Sequence, residues 1–311
     1  TFNKNPNTIG TQNYTFKIPL NPAVASNHAA TPLGAIGVSL NGAQRWISIV
    51  GFNFQPVEFF KFALILFYAN WLSKHQKIAP FLFLTALPAL LIILQPNLSS
   101  LLIIVAIAFA LFFIAGGNLK YILGVGALAI PTVLVAIVTS EYRMKRLTTF
   151  LNPQADPLGA SFHIRQITLA LGRGGWLGQG IGGSQQKYSY IPEASSDSIF
   201  AIIAEEIGFL GSLGIISLYI FFFYHAYKLI TQQEKEPALQ LLGFGIIFWI
   251  GLQLILNLSA IVGLVPLTGV PLPFISYGRS SLVMLLFATG VLLGIGRTTD
   301  TETGSNSKKK R

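Results

Sequence analysis

Cysteine is absent from the 311-residue chain, which excludes a disulfide framework and any thiolate metal site. Histidine is scarce: His28, His75, His163 and His225 are scattered along the sequence, against the clustering a structural zinc needs. Charge is the largest deficit. Asp, Glu, Lys and Arg make up 10% of the residues, where a soluble domain carries about 25%. Hydrophobic residues reach 52% and the mean hydropathy is +0.61, so the chain reads as an all-α polytopic membrane protein, not as the pair of soluble domains its length alone would suggest. Acids are outnumbered 11 to 21, leaving a net charge of +10. Part of that surplus sits in Lys308-Lys309-Lys310-Arg311, the end of a basic tail over 298–311 that reads as a cytoplasmic anchor to anionic lipid. No basic stripe interleaved with aromatics is present, so nucleic acid is not an expected partner. A starting Met and a signal peptide are also missing, and residues 1–40, rich in Asn, Pro and Thr, form a polar extracytoplasmic segment with no span.

What is present is a membrane domain over 41–297. Crossing a hydrocarbon core of roughly 30 Å takes about 20 apolar residues. Spans are expected near 56–73, 79–95, 98–116, 120–139, 199–229, 238–260 and 280–296. Pro96 and Asn97 separate the second from the third with a tight turn. Lys74, His75, Lys77, Lys120, Lys228, Lys235 and Arg297 fall at alternate ends of these spans and set those ends in the cytoplasm. A large loop over 140–197 then lies outside. Its own cations, Arg143, Lys145, Arg146, Arg165, Arg173 and Lys187, do not reverse that orientation, because long loops translocate largely regardless of charge. Within it, HIRQITLALGRGGWLGQG (163–180) reads as a short helix, either amphipathic at the interface or simply packed. GQGIGGS (178–184) lacks a preceding strand and a following GK[ST], so it reads as a flexible glycine loop and not a phosphate cradle.

A few residues in or beside the spans are too polar to serve solubility. Glu58 and Lys61 share one face of the first span; they suit either a structural ion pair or the polar wall of a substrate cavity, since each alone would be costly in lipid. A polar loop carrying Glu193 and Asp197 turns directly into the apolar stretch that begins at Ile199. Asp197 suits a helix cap and suits a working acid, and the two are not exclusive. Glu205 follows about two turns on and roughly 80° around the helix, where it can share a cavity with Asp197, while Glu206 points away. Gln253 and Asn257 place two amides on one face of the next span. That face leads to VPLTGVPLPFISYGRSS (265–281), whose prolines and glycines forbid a regular helix. Irregular backbone at membrane depth must be buried in protein or line a wet cavity, which makes Thr268, Ser276 and Tyr277 candidates for substrate contact.

With these stretches assembled, the chain resembles the shape, elongation, division and sporulation family, the FtsW/RodA/SpoVE proteins. The resemblance rests on NGAQRW (41–46), FQPVE with Lys61, LQPNL (94–98), RLTTFLNPQADPLGASFHIRQ (146–166), YIPEASSDSIFAIIAEEIGFLG (190–211) and LTGVPLPFISYGRSS (267–281), in family order. The QK-x-x-YIPEA form is closer to the division branch, FtsW, than to the elongation branch. The resemblance implies a ten-helix fold of which this sequence holds the last seven spans. It also implies a peptidoglycan glycosyltransferase that polymerises lipid II, an undecaprenyl-pyrophosphate disaccharide, at the outer face of the bacterial cytoplasmic membrane. The family's essential aspartate corresponds to Asp197, and its cavity-facing Glu and Lys to Glu58 and Lys61. A class b penicillin-binding protein and other division proteins are the implied partners. Three positions depart from the family pattern: the neighbours of Asp197 are serines, Asn97 replaces an acid, and Arg279 replaces a glycine beside the breaker-rich run.

The expected chemistry is an inverting transfer. Asp197 takes the proton of the acceptor's 4-hydroxyl and the donor's pyrophosphate leaves as an anion, so one base suffices and the leaving group needs counter-charge. Arg165, Arg173 and Lys187, or a divalent cation such as Mg or Mn, are the candidates for that charge; no protein metal site is expected. Two rivals stand beside the enzyme. Broken helices and an intramembrane ion pair also suit a carrier that moves the lipid-linked precursor across the bilayer, and a non-catalytic division scaffold is the third reading.

Overall fold

The computed structural model describes residues 37–40, 43–49, 52–94, 97–153, 161–186, 196–233 and 236–309. Its architecture is all-α apart from a small antiparallel sheet ahead of the first helix. The strands β1 (Gly37–Leu40), β2 (Ala43–Ile49) and β3 (Phe52–Phe54) lie in the order β1-β2-β3, with Gly37 opposite Ile47 and Ile47 opposite Phe54. No strand was expected here, because segments this short give too little alternation to read.

Helices then follow wherever the apolar stretches predict them. α1 (Pro56–Leu72) opens on a proline at its first turn, where the missing N–H has no intrahelical partner to lose. α2 (Ile78–Leu94) and α3 (Leu98–Ile114) are separate helices, and the Asn97 side chain accepts from Ser100 N–H at 3.2 Å to cap the second of them. α4 (Leu119–Val138) is capped in the same manner by Asn118, which accepts from Lys120 N–H at 2.9 Å. Two shorter helices, α5 (Glu141–Leu151) and α6 (Phe162–Gly174), fall within the expected outer loop. α7 (Ile199–Thr231), α8 (Pro237–Ile261) and α9 (Arg279–Lys309) follow, with α9 running on into the basic tail.

Among the described residues, Ile199–Thr231, Pro237–Ile261 and Arg279–Arg297 are long and apolar enough to cross a membrane, and Ile78–Ile93, Leu98–Ile114 and Leu119–Val135 are shorter apolar helices. Large apolar side chains cover the outsides of these elements: Leu87 on α2, Leu123 and Leu128 on α4, Leu218 and Phe221 on α7. A soluble fold would hide such a surface; lipid accepts it.

α8 is the central post. It packs against α1, α3, α7 and α9, and its Ile246, Trp249 and Ile250 are buried with Ile65 and Leu111. Lipid tails are as apolar as leucine, so close van der Waals fit has to hold the helices together. Gly245 supplies it: a Cβ there would stand 2.6 Å from Ile65 Cγ2, so only glycine lets α1 and α8 approach this closely. The packing of α8 matters for function because the amides expected to lead to the site, Gln253 and Asn257, lie on it.

Candidate active site

Asp197 stands immediately before α7, half-buried, and the helix N-cap is its neighbour Ser198. The Ser198 hydroxyl makes no capping bond; it meets His163 Nε2 of α6 at 2.8 Å. The Asp197 main chain is held firmly. Asn257 Nδ2 donates to its carbonyl at 2.7 Å, and the carbonyl of Ser196 accepts from the Ser276 hydroxyl. The hydroxyls of Ser196 and Ser198 each lie 3.4 Å from Asp197 Oδ1, distances at the weak limit for O–H···O bonds. The two serines that depart from the family pattern thus lie beside the acid.

The breaker-rich run 265–281 is irregular as far as Gly278, as its prolines and glycines predict; its last three residues already belong to α9, and side-chain hydrogen bonds hold the irregular part in place. The Ser276 hydroxyl accepts from Leu272 N–H at 2.7 Å as well as donating to Ser196. Asn257 Nδ2 also donates to the Val270 carbonyl at 2.8 Å. Ser99 of α3 donates to the Thr268 carbonyl at 2.8 Å, Arg146 of α5 to the Leu267 carbonyl at 3.0 Å, and the Tyr219 hydroxyl of α7 to the Pro273 carbonyl. Phe274 sits at φ 65°, the left-handed region that an aromatic residue seldom occupies. Such strain costs of order 1–3 kcal/mol and persists only where the surroundings impose it, which is characteristic of functional loops. Gly269, also left-handed at φ 67°, brings its backbone beside the acid, its Cβ position 4.0 Å from Asp197 Oδ2. Strained loop, acid and α8 amide form one cluster.

The expected substrate contacts divide accordingly. Ser276 and Asn257 are buried and spend their donors on main-chain carbonyls, so both position the loop around Asp197. Thr268 is half-buried with a hydroxyl that has no hydrogen-bond partner. Tyr277 is exposed, and its hydroxyl accepts from Arg279 Nε at 3.2 Å. Arg165 lies exposed on α6. Lys187 and Glu193 lie outside the described residues.

Glu58 and Lys61 do form a pair, Oε1 to Nζ at 2.8 Å, with Lys61 5.1 Å from the centre of the Trp249 ring. Both are buried, and Glu58 Oε2, Trp249 Nε1 and both amide atoms of Gln253 have no hydrogen-bond partner. Trp249, Gln253 and Asn257 recur every four residues along α8, so a polar face runs from the ion pair toward Asp197 over roughly 12 Å. Unpaired buried polar atoms are costly, and a face of them suits a polar path better than a sealed core. A groove of about 320 Å³ on α1 is a different feature: it opens between α1 and α2 and is lined by Phe60, Phe67, Leu84 and Leu87.

Glu205 turns elsewhere. It is buried, accepts from the Ser184 hydroxyl at 2.6 Å and lies 3.9 Å from Arg173 Nη1. Its carboxylate therefore meets α6 and the glycine loop, partners that a helical wheel does not show. The same region contains an arrangement that the apolar pattern concealed. α7 is interrupted at Gly208, φ 68° and ψ −169°. Phe209 and Leu210 N–H would normally donate to Glu205 and Glu206. Instead they donate to the Gly175 and Trp176 carbonyls at 2.9 and 3.2 Å, while Gln179 and Gly180 N–H serve the Glu205 and Glu206 carbonyls at 2.9 and 3.0 Å. One turn of the 175–180 loop is spliced into the helix.

Ser99, His163 and Tyr219 all support the site and were not among the expected residues. Each bonds a group far away in sequence, and no local pattern flags such a partner.

A multi-helix membrane protein that holds one carboxylate at a helix mouth, beneath a strained loop, is the class these features define. The chain belongs to the FtsW/RodA/SpoVE family: the family model described as "Cell cycle protein" matches residues 28–301. The probable peptidoglycan glycosyltransferase FtsW of Geobacter sp. (strain M18) is 38% identical over 268 residues, covering 84% of this chain and 73% of that protein. Stage V sporulation protein E of Bacillus subtilis (strain 168) is 37% identical over 270 residues, covering 84% and 74%. A chain of the solved structure described as "Structural coordination of polymerization and crosslinking by a peptidoglycan synthase complex" matches with a TM-score of 0.69 and 28% identity, covering 84% of this chain and 75% of that one.

Proposed function

We propose that this protein is a peptidoglycan glycosyltransferase that polymerises lipid II into β-1,4 glycan strands at the outer face of the bacterial cytoplasmic membrane. Asp197 is its general base. The carboxylate removes the proton from the acceptor's 4-hydroxyl as that oxygen attacks the donor's anomeric carbon. Pyrophosphate departs from the opposite face, inverting the configuration. Arg165, Arg173 and Lys187 supply counter-charge, or a divalent cation such as Mg or Mn arrives with the pyrophosphate. The described residues contain no cluster of three or more His, Asp or Glu side chains to hold a resident metal. A class b penicillin-binding protein is the expected transpeptidase partner, and the relatives named FtsW favour the division branch.

The observation that carries this reading is the fixed main chain of Asp197. Asn257 and Ser276 tie the acid and its neighbour to α8 and to the 265–281 run, and positioning of that kind is what a base needs before its substrate arrives. The test is lipid II polymerisation by the full-length protein carrying Asp197→Asn, which keeps the shape and removes the base. General-base loss costs about 10²–10⁴-fold in rate. Wild-type rate in that variant sinks the assignment.

The carrier reading draws on two features, the interrupted α7 and the buried Glu58–Lys61 pair. Purified protein in detergent separates the two: a polymerase makes glycan from lipid II there, and a carrier makes none.

A further inference from the structure

The loop that is spliced into α7 also points large apolar side chains outward. Trp176, Leu177 and Ile181 are 71%, 78% and 92% exposed. Trp176 packs edge-on against Phe209, ring centres 5.3 Å apart, and Phe209, Leu210 and Leu213 continue the exposed apolar surface down α7. α7 is long and apolar enough to cross the membrane, so the loop's patch is continuous with a lipid-facing side of the protein.

Apolar side chains alone do not admit a loop to lipid, because its backbone groups must also be satisfied. Here much of that requirement is met internally. The carbonyls of Gly174, Gly175, Trp176 and Gly180 accept from Gly178, Phe209, Leu210 and Gly183, and Gln179 and Gly180 N–H are taken by α7. The Gln179 side chain turns back to the Arg173 carbonyl at 2.6 Å. Arg173 donates to Gln185 Oε1 at 2.9 Å, which keeps a cation at the polar edge of the patch, where anionic headgroups would meet it.

We propose that residues 175–181 seat in the interfacial layer of the bilayer, Trp176, Leu177 and Ile181 entering the headgroup–acyl boundary. A water-bathed outer loop would have no reason to combine an internally bonded backbone with outward Trp, Leu and Ile; an interfacial one has both reasons. The loop then acts as a foot, setting the depth of the α7 break in the membrane.

The chain has no cysteine, so Leu177→Cys and Ile181→Cys each carry a nitroxide label at a single exposed site within it, any cysteine outside this sequence being replaced by serine. The full-length protein is placed in phosphatidylcholine–phosphatidylglycerol vesicles, and spin-label power saturation is measured with oxygen and with a water-soluble nickel chelate. Lys77→Cys, in the exposed turn after α1, gives the water reference, and Leu218→Cys, on the exposed side of α7, the lipid reference. The expected result is oxygen accessibility above that of the chelate at both loop positions, shifted from the Lys77 value toward the Leu218 value. Chelate accessibility equal to that at Lys77 overturns the proposal. So does exclusion of both reagents, which means that protein, not lipid, covers the loop.

Discussion

Asn257 reaches Asp197 through the main chain: a single amide nitrogen donates to the carbonyls of Asp197 at 2.7 Å and Val270 at 2.8 Å. The acid and the strained loop are therefore referenced to the same point on the central helix. Removing a buried hydrogen-bond partner costs roughly 1–3 kcal/mol. Asn257→Ala is expected to lower the polymerisation rate by about tenfold to a hundredfold if that loss falls on the positioning of the base. The KM for lipid II should change little. An equal rise in KM with kcat preserved would mean that Asn257 binds substrate.

Asp197→Glu keeps a carboxylate and moves it by one methylene. A misplacement of about 1 Å can cost about 10²-fold, so this variant should be crippled nearly as badly as Asp197→Asn in a glycan-forming assay. Near-normal activity would show that the site tolerates a loosely placed base and that the ties to Asn257 and Ser276 serve only folding.

Breaking a buried ion pair from one side leaves a charge without its counter-ion, at a cost of about 3–5 kcal/mol. Glu58→Gln and Lys61→Met singly are each expected to lower the thermal unfolding temperature in detergent sharply. The double variant should recover much of the loss, since no lone charge then remains near Trp249. Equal melting points for single and double variants would mean that the pair is hydrated in the native state.

Gly208 and Gly178 face each other across the splice, and a Cβ on either would run into the other segment's backbone. Gly208→Ala and Gly178→Ala should each lower the melting temperature, through this clash and through the positive φ, which costs a non-glycine residue roughly 1–3 kcal/mol. Gly214→Ala, further along α7 with nothing within 4 Å of its Cβ position, should be neutral or mildly stabilising through helix propensity. If all three behave alike, the splice contributes nothing to the fold.

Much of this protein was legible along the chain. Runs of apolar residues set where the helices form, and Pro96 with Asn97 marked the division between α2 and α3, Asn97 serving as the cap. The acid before Ile199 and the proline-rich run at 265–281 stood out because each breaks a local rule. The strands before α1 did not stand out, being only 3 to 7 residues long. Nor did the break at Gly208, since one glycine in an apolar helix usually changes nothing. The bond from Ser184 to Glu205 was hidden for a related reason: a helical wheel gives a direction and says nothing of what lies there.

The sequence by itself therefore determined a membrane protein, the apolar runs from which its long helices form and the acid at the mouth of one of them. These follow from hydrophobicity, proline and charge, which act on near neighbours. Only the tertiary structure decided that Ser276 grips Ser196, that Asn257 grips Asp197, and that a glycine loop completes α7. Those bonds join groups 80, 60 and about 30 residues apart. Which polar groups meet is settled by how the helices pack, and no spacing along the chain encodes it.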